Sequence, residues 1–343
     1  MKNIATLLVA ILITAGMSFA QNNDATVLQE VDDSEVNIDQ MGSNNQASAS
    51  QSLGNNNMFI EIDQNGTSNQ ADVAQQWGQW HWTYVDQIGA GNELKLIQDN
   101  TSTRVDVMQD GDGNYADIFH RNYLFSFNDY ISSVFLKQDG DENEALIVSD
   151  GSGNTVNVLQ AGENNDAHLT QSGDQNSADI RQGAVGGSND SYVNLTQSGY
   201  KNSVDIRQIV SDNQSFTGSQ SGDLHSFRLF SRGTGHVVTM DMDGDRNLSD
   251  WIIGDNLSED NVLTLDVDGS RNHSGGSIQG SFNTVTLQQS GDYNRIGTSY
   301  LAKDGVVING DYNTVDISQM GDSDAAFVTQ MGNSNTATIS QSN

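Results

Sequence analysis

The chain has 343 residues, enough for one or two ordinary domains, yet it holds no proline and no cysteine. Lacking cysteine, it has no disulfide framework, no thiolate metal site and no cysteine nucleophile, and a formal charge of −31 excludes gripping nucleic acid by counterion release. Roughly 17 prolines would be expected at average usage; their absence fits a chain in which nearly every backbone N–H serves as a sheet donor.

In chain order, residues 1–20 read as a bacterial signal peptide. Lys2 supplies the positive start, Ile4 to Ile13 the short apolar run, and Ser18-Phe19-Ala20 the small-x-small cleavage site. Cleavage after Ala20 removes Lys2 and takes the charge from −31 to −32. No later stretch is apolar for long enough to span a membrane as a helix, so no membrane insertion is expected after cleavage. Residues 21–33 form a short N-terminal segment, and residues 34–343 are repeats.

The repeat is Gln-x-Gly-x-x-Asn. Its copies open at Gln40, Gln64, Gln87, Gln109, Gln138, Gln160, Gln171, Gln197, Gln289 and Gln330. They close on Asn45, Asn69, Asn92, Asn114, Asn143, Asn165, Asn176, Asn202, Asn294 and Asn335. Gln220 leads instead to His225, and Gln319 to Asp324. A second Gln often follows 11 residues after the first, as at Gln51, Gln75, Gln98, Gln182, Gln208 and Gln341. The half-unit is thus about 11 residues and the unit about 22, giving about 28 half-units, or 14 repeats, from Gln29 to Gln341.

Each half-unit reads as a strand and a turn. Gly and Asn are turn residues, and the residues after the Asn alternate with the period of a strand. Asn176, Ala178, Ile180 and Gln182 face one way; Ser177, Asp179 and Arg181 face the other. A single arm cannot bury its apolar face, so neighbours must stack. The expectation is an all-β, parallel-stacked β-solenoid of strand–turn–strand coils about 4.8 Å apart. Inward Gln and Asn amides are then expected to pair with the same residue in the next coil, as in cross-β ladders.

Three regions depart from the pattern. Residues 121–137 stretch the step from His120 to Gln138, and an insertion is expected there. A second insertion is expected near 183–192, where the step from Gln182 to Gln197 is 15 residues and is expected to slip the alternation of half-units. From Leu229 to Ile278 the Gln ladder gives way to Ser231, Met242, Ile253, Val267 and Ile278. The repeat still runs to Gln341 without an atypical capping unit, so the last coil is expected to template another copy.

The pattern resembles the curlin repeat, Ser-x5-Gln-x-Gly-x-x-Asn-x-Ala-x3-Gln. Ser34, Gln40, Gly42, Asn45, Ala47 and Gln51 match it closely, as do Asn69-Ala71-Gln75, Asn165-Ala167-Gln171 and Asn335-Ala337 before Gln341. The resemblance covers about residues 29–343. It implies a secreted subunit that polymerises with itself into extracellular curli-like amyloid fibres for adhesion and biofilm matrix. It also implies a Gram-negative-type cell surface, a nucleator subunit, export machinery, and an export address within Gln21–Glu30. This chain departs from the family in carrying nearly three times the usual number of repeats and a more acidic composition.

Other chemistry is weaker. The runs Asp110–Asn114, Asp139–Asn143 and Asp243–Asn247 suggest calcium loops, but from Asp139 the sixth and twelfth positions are Glu144 and Asp150, not Gly and Glu. They are expected to be acidic turns that deter premature association. No metal-spaced histidine pair and no convergent acid, base and nucleophile occur, so no enzyme activity, metal or cofactor is expected. Trp77, Trp80, Trp82 and Tyr84 cluster, and some of these rings are expected to pack over a widened coil rather than grip a ligand. The alternative to a fibre subunit is a monomeric solenoid adhesin or ligand-binding module, calcium-stabilised or ice-binding. A carbohydrate-active β-helix would need carboxylates gathered on one face, whereas Asp72, Asp117, Asp179, Asp205 and Asp316 are scattered.

Overall fold

The computed structural model describes residues 22–54, 57–100, 102–122, 131–183, 188–209, 212–255, 257–297 and 305–342. Residues 1–20, expected to be a signal peptide, Tyr123, Phe125, Phe127 and Tyr130 of the first expected insertion, and residues 184–187 of the second lie outside the described residues. Among those residues no helix is long and apolar enough to cross a membrane.

The chain shuttles between two parallel sheets. The front sheet stacks 14 strands, from Asp24–Gln29 and Gln46–Gly54 to Thr314–Met320 and Thr336–Ser342. The back sheet follows an order of 13 strands, from Glu35–Ser43 to Ala325–Ala326. Its last two rungs are split: Val306–Asn309 continues the rung of Arg295–Ile296, and Val328–Met331 that of Ala325–Ala326. The fold is therefore a β-solenoid of about 13 turns, with one front strand, Asp24–Gln29, standing before the first complete repeat.

Register is unbroken where the sequence stretches. Ser132–Asp139 pairs in full with Thr103–Asp110 on one side, and from Ser133 onward with Thr155–Ala161 on the other. The alternation does not slip after Gln182. Gln171 lies opposite Gln197 in the front sheet, and Gln182 opposite Gln208 in the back. The reason is entropic and steric. Lengthening a surface turn costs little, whereas moving a strand to the wrong sheet would expose its apolar face. A third insertion, residues 297–305, separates the two halves of a back rung; no Gln-x-Gly pair marks it in the sequence.

The core is a thin layer of small aliphatic side chains. Ile60, Ile62, Val73, Leu136, Val158, Ile180 and Leu195 are fully buried. Where the polar ladder lapses, larger groups enter. Phe216 faces Phe227 across the core with ring centres 5.5 Å apart, and Trp251 is buried on the next back strand, opposite Leu229. Glycine makes the room. A Cβ on Gly218 would stand 2.6 Å from the Phe216 ring, and one on Gly276 2.6 Å from Trp251.

Candidate assembly interface

The repeat letters build three hydrogen-bonded columns. The first is glutamine. In the back sheet Gln40 Nε2 donates to Gln64 Oε1 at 2.8 Å, Gln64 to Gln87 at 2.7 Å, and Gln87 to Gln109 at 2.7 Å. The run continues from Gln109 to Gln138 at 2.9 Å, Gln138 to Gln160 at 3.0 Å, and Gln160 to Gln182 at 3.1 Å. The front sheet carries Gln29 to Gln51 to Gln75 to Gln98 at 2.8, 3.0 and 2.9 Å. After a gap it resumes from Gln171 to Gln197 to Gln220 at 2.8 and 2.9 Å, and from Gln289 to Gln319 to Gln341 at 2.9 Å each. Every one of these amides donates toward the C-terminal coil, so the column is polar.

The same nitrogen also ties the two sheets. Gln75 Nε2 reaches Phe59 O at 2.9 Å, Gln87 reaches Gln70 O at 2.9 Å, and Gln160 reaches Glu144 O at 2.8 Å. Gln51, Gln138 and Gln197 do likewise with Glu35, Tyr115 and Ser177. Within the runs buried amides are thus satisfied along the axis and across it, as burial requires; the exceptions are Gln171, Gln208, Gln289 and Gln330, which flank the gaps and whose Oε1 atoms are buried without a partner.

The columns have defined gaps. His120 and Ser149 stand between Gln98 and Gln171 in the front sheet. In the back sheet Gln208 is followed by Ser231, Ile253, Ile278 and Ile308 before Gln330. In the front sheet Met242 and Val267 separate Gln220 from Gln289.

Asparagine works differently from the expected amide-to-amide pairing. Asn69 N–H donates to Asn45 Oδ1 at 3.1 Å, Asn92 N–H to Asn69, and Asn114 N–H to Asn92. The side-chain nitrogen turns to the glycine carbonyl of the next coil: Asn45 to Gly66 at 3.1 Å, Asn92 to Gly111 at 2.8 Å, Asn114 to Gly140 at 2.7 Å. Direct Asn–Asn amide bonds are a minority, such as Asn143 to Asn114 and Asn165 to Asn143. The short side chain sits at a turn whose peptide groups lack ladder partners, and it reaches those first. Asn176, Asn202, Asn294 and Asn335 repeat the pattern, each donating its N–H to the Asn before it. His225 and His236 imitate it: Nδ1 accepts the N–H of Asn247 and of Asn261, and Nε2 faces Ser221 O and Arg232 O. Asn154, Asn247, Asn272, Asn283 and Asn313 occupy these columns without a Gln-x-Gly-x-x-Asn motif. Each keeps the Gly three residues before the Asn, with Met242, Val267, Ile278 and Ile308 standing in for the leading Gln before the last four and Ser149 before Asn154.

The third column is aspartate, just after the turn glycine. Asp112 Oδ1 accepts Ala90 N–H at 2.7 Å, Asp141 accepts Asp112 N–H at 2.8 Å, and Asp322 accepts Asp292 N–H at 2.8 Å. The acidic turns therefore cap peptide groups of the preceding coil, with the added strength of a charged acceptor.

Charge and aromatic groups complete the surface. Burial holds His81 and His236 below the ordinary histidine value and takes His120 down to about 4. Burial, then the like charges of Glu61, Asp39 and Asp86, raise Asp63; burial and Asp110 raise Asp86. The tryptophan cluster does not pack inward. Trp77 is 55% and Trp80 40% exposed, and Tyr84 lies on the outer face against Phe59 with ring centres 5.3 Å apart. The coil is too thin to take such rings unless neighbouring inward residues are cut to glycine, as Gly218 is beside Phe216 and Gly276 beside Trp251.

At the two ends the columns stop. Glu35–Ser43 and Thr336–Ser342 each pair with a single strand. At one end Gln29 and Gln40 present Oε1 atoms that receive no ladder amide. At the other, Gln341 Nε2 and Gln330 Nε2 rest on Ala325 O and Thr314 O at 3.1 and 3.2 Å.

Comparison with known families matches the curlin-associated repeat over residues 32–60, 132–162, 162–194 and 310–342. The chain is a curlin-repeat protein. None of the curated proteins matches it. In this curlin-repeat chain the matched segments include the first and last complete coils, where both Gln and Asn columns are present. The stretch with apolar columns, from Ser231 to Ile308, lies between matches.

Proposed function

We propose that this protein is a secreted structural subunit that self-assembles into extracellular curli-like amyloid fibres for adhesion and biofilm matrix. The observation that carries the reading is the polarity of the glutamine columns. One end offers amide donors and a free parallel edge; the other offers amide acceptors and a free parallel edge. Such a pair of ends is complementary between copies but not within one, so contacts are head-to-tail and open-ended. Backbone pairing along the axis and stacked amide ladders are the features that stabilise cross-β fibres. The large negative charge keeps an exported monomer soluble until a template is met. A nucleator subunit and a curli-type export system are the partners this role requires. The test is seeded growth of the secreted chain followed by thioflavin fluorescence and fibre diffraction. Self-seeded, sigmoidal growth with a reflection near about 4.7 Å is expected; a β-rich monomer that never seeds would overturn the reading.

A further inference from the structure

Asp24–Gln29 is a strand out of step with the repeats. Each complete repeat consists of a back strand and the front strand that follows it. In the first repeat Gln51 Nε2 ties the front strand to Glu35 O at 3.2 Å, and in the last Gln341 Nε2 ties it to Ala325 O at 3.1 Å. Among the described residues Asp24–Gln29 has no back strand before it; it lies on the edge of Gln46–Gly54 and is tied across only to the back strand that follows, by Gln40 Nε2 donating to Asp24 O at 3.0 Å. Consider a second copy whose last repeat docks on this end. Its back strand meets the free edge of Glu35–Ser43. Its front strand must meet Gln46–Gly54, and that place is taken. If Asp24–Gln29 stays, the front sheet is one rung, about 4.8 Å, ahead of the back sheet. A whole strand is then missing across the junction, leaving buried peptide groups unpaired.

The occupant resembles the strand it would exclude. Asn23-Asp24-Ala25-Thr26-Val27-Leu28-Gln29 aligns with Asn335-Thr336-Ala337-Thr338-Ile339-Ser340-Gln341, sharing Asn, Ala, Thr and Gln, with Val for Ile. Its contacts are those of a repeat. Asn23 Oδ1 accepts Asn45 N–H at 3.0 Å, and Gln29 Nε2 donates to Gln51 Oε1 at 2.8 Å. Its hold is weaker than that of the interior strands, because none of its six residues is fully buried. We propose that Asn23–Gln29 is a built-in stand-in for the last strand of a second copy, and that it leaves its place when copies join. It thereby shields the docking edge of the free monomer. This inference rests on the assembly reading above.

The test is a reversible lock. Thr26 and Ser48 are register partners on the outward face, at a spacing suited to a disulfide, and the chain has no other cysteine to mispair. Soluble T26C/S48C chain is added to wild-type seeds, oxidised or reduced. The oxidised chain is expected to elongate at least tenfold more slowly, and reductant to restore the wild-type rate. Hydrogen exchange on wild-type fibres should show Ala25–Gln29 amides unprotected while Ala47–Gln51 remain protected. Equal elongation of oxidised and reduced chain, or Ala25–Gln29 protected in the fibre as in the monomer, overturns the proposal alone. A wild-type chain that never elongates removes the assembly reading, and this proposal with it.

Discussion

Gly89 and Gly91 lie two residues apart in one turn, and the structure assigns them opposite tolerance to a methyl group. Gly89 has φ +110°, and a Cβ there would stand 2.1 Å from Gly111 O of the next coil. Gly91 has φ +70° and open space where its Cβ would be; other coils place Asn44 and Ser68 at this position with similar φ. Gly91→Ala should therefore cost only the left-handed strain, about 1 kcal/mol. Gly89→Ala adds backbone strain of about 1–3 kcal/mol and must push the two coils apart. That movement breaks or stretches the bonds from Asn92 Nδ2 to Gly111 O at 2.8 Å and from Ala90 N–H to Asp112 Oδ1 at 2.7 Å, each worth about 1 kcal/mol. The expected total is about 3–5 kcal/mol. Repeat arrays do not always unfold in one step, so the assay is hydrogen exchange at residues 87–93 and 109–115, supported by denaturant melts. If the two variants differ by less than about 0.5 kcal/mol, a margin within ordinary surface scatter, glycine stacking is not what fixes the third position of the repeat.

Ladder residues should be context-dependent. Gln87→Leu strands a donor on Gln64 and an acceptor on Gln109, costing about 2–3 kcal/mol, and Ile278→Gln should also destabilise, because Ile253 and Ile308 offer its amide nothing; equal melting of either variant with wild type would refute the pairing account. Acid should act with two signs. His120 has a folded value of about 4, below its ordinary 6.5, so the unfolded chain takes the proton first; stability falls as pH drops from 6.5 toward about 4, by up to about 3 kcal/mol. His120→Gln should flatten that slope. Asp63 and Asp86 are raised above 3.8, so their protonation favours the folded chain and stability is lost as pH climbs through that raised range. Denaturant melts at several pH values for wild type, His120→Gln and Asp63→Asn separate the two, and a slope unchanged by His120→Gln would refute the histidine assignment.

The fold class was legible because spacing and alternation agree. A Gln-x-Gly-x-x-Asn step of about 11 residues leaves one strand and one turn, and a strand that cannot bury itself must stack. The count was nearly right, about 28 half-units against 14 front and 13 back rungs. It was one too high, because Asp24–Gln29 stands in the front sheet with no back strand before it among the described residues, a fact of tertiary placement. The turn chemistry was less legible. Letters place Asn45 and Gln40 as equals, yet side-chain length decides their partners: Gln reaches its counterpart, Asn reaches turn peptides. Asp112 and Asp141 looked like solubilising charge because a peptide N–H in the preceding coil has no signature in sequence. The tryptophans were misjudged because the width of the core could not be known before the coil was seen.

The most direct measurement compares elongation of seeds by two double variants of the last coil. Gln330 and Asn335 end the inward columns, whereas Thr336 and Thr338 point outward on the strand that follows. Replacing Gln330 and Asn335 together by Ala should slow elongation severalfold or more, and replacing Thr336 and Thr338 by Ala should leave it near the wild-type rate. Equal elongation by the two double variants would contradict the claim that the amide columns template the next copy.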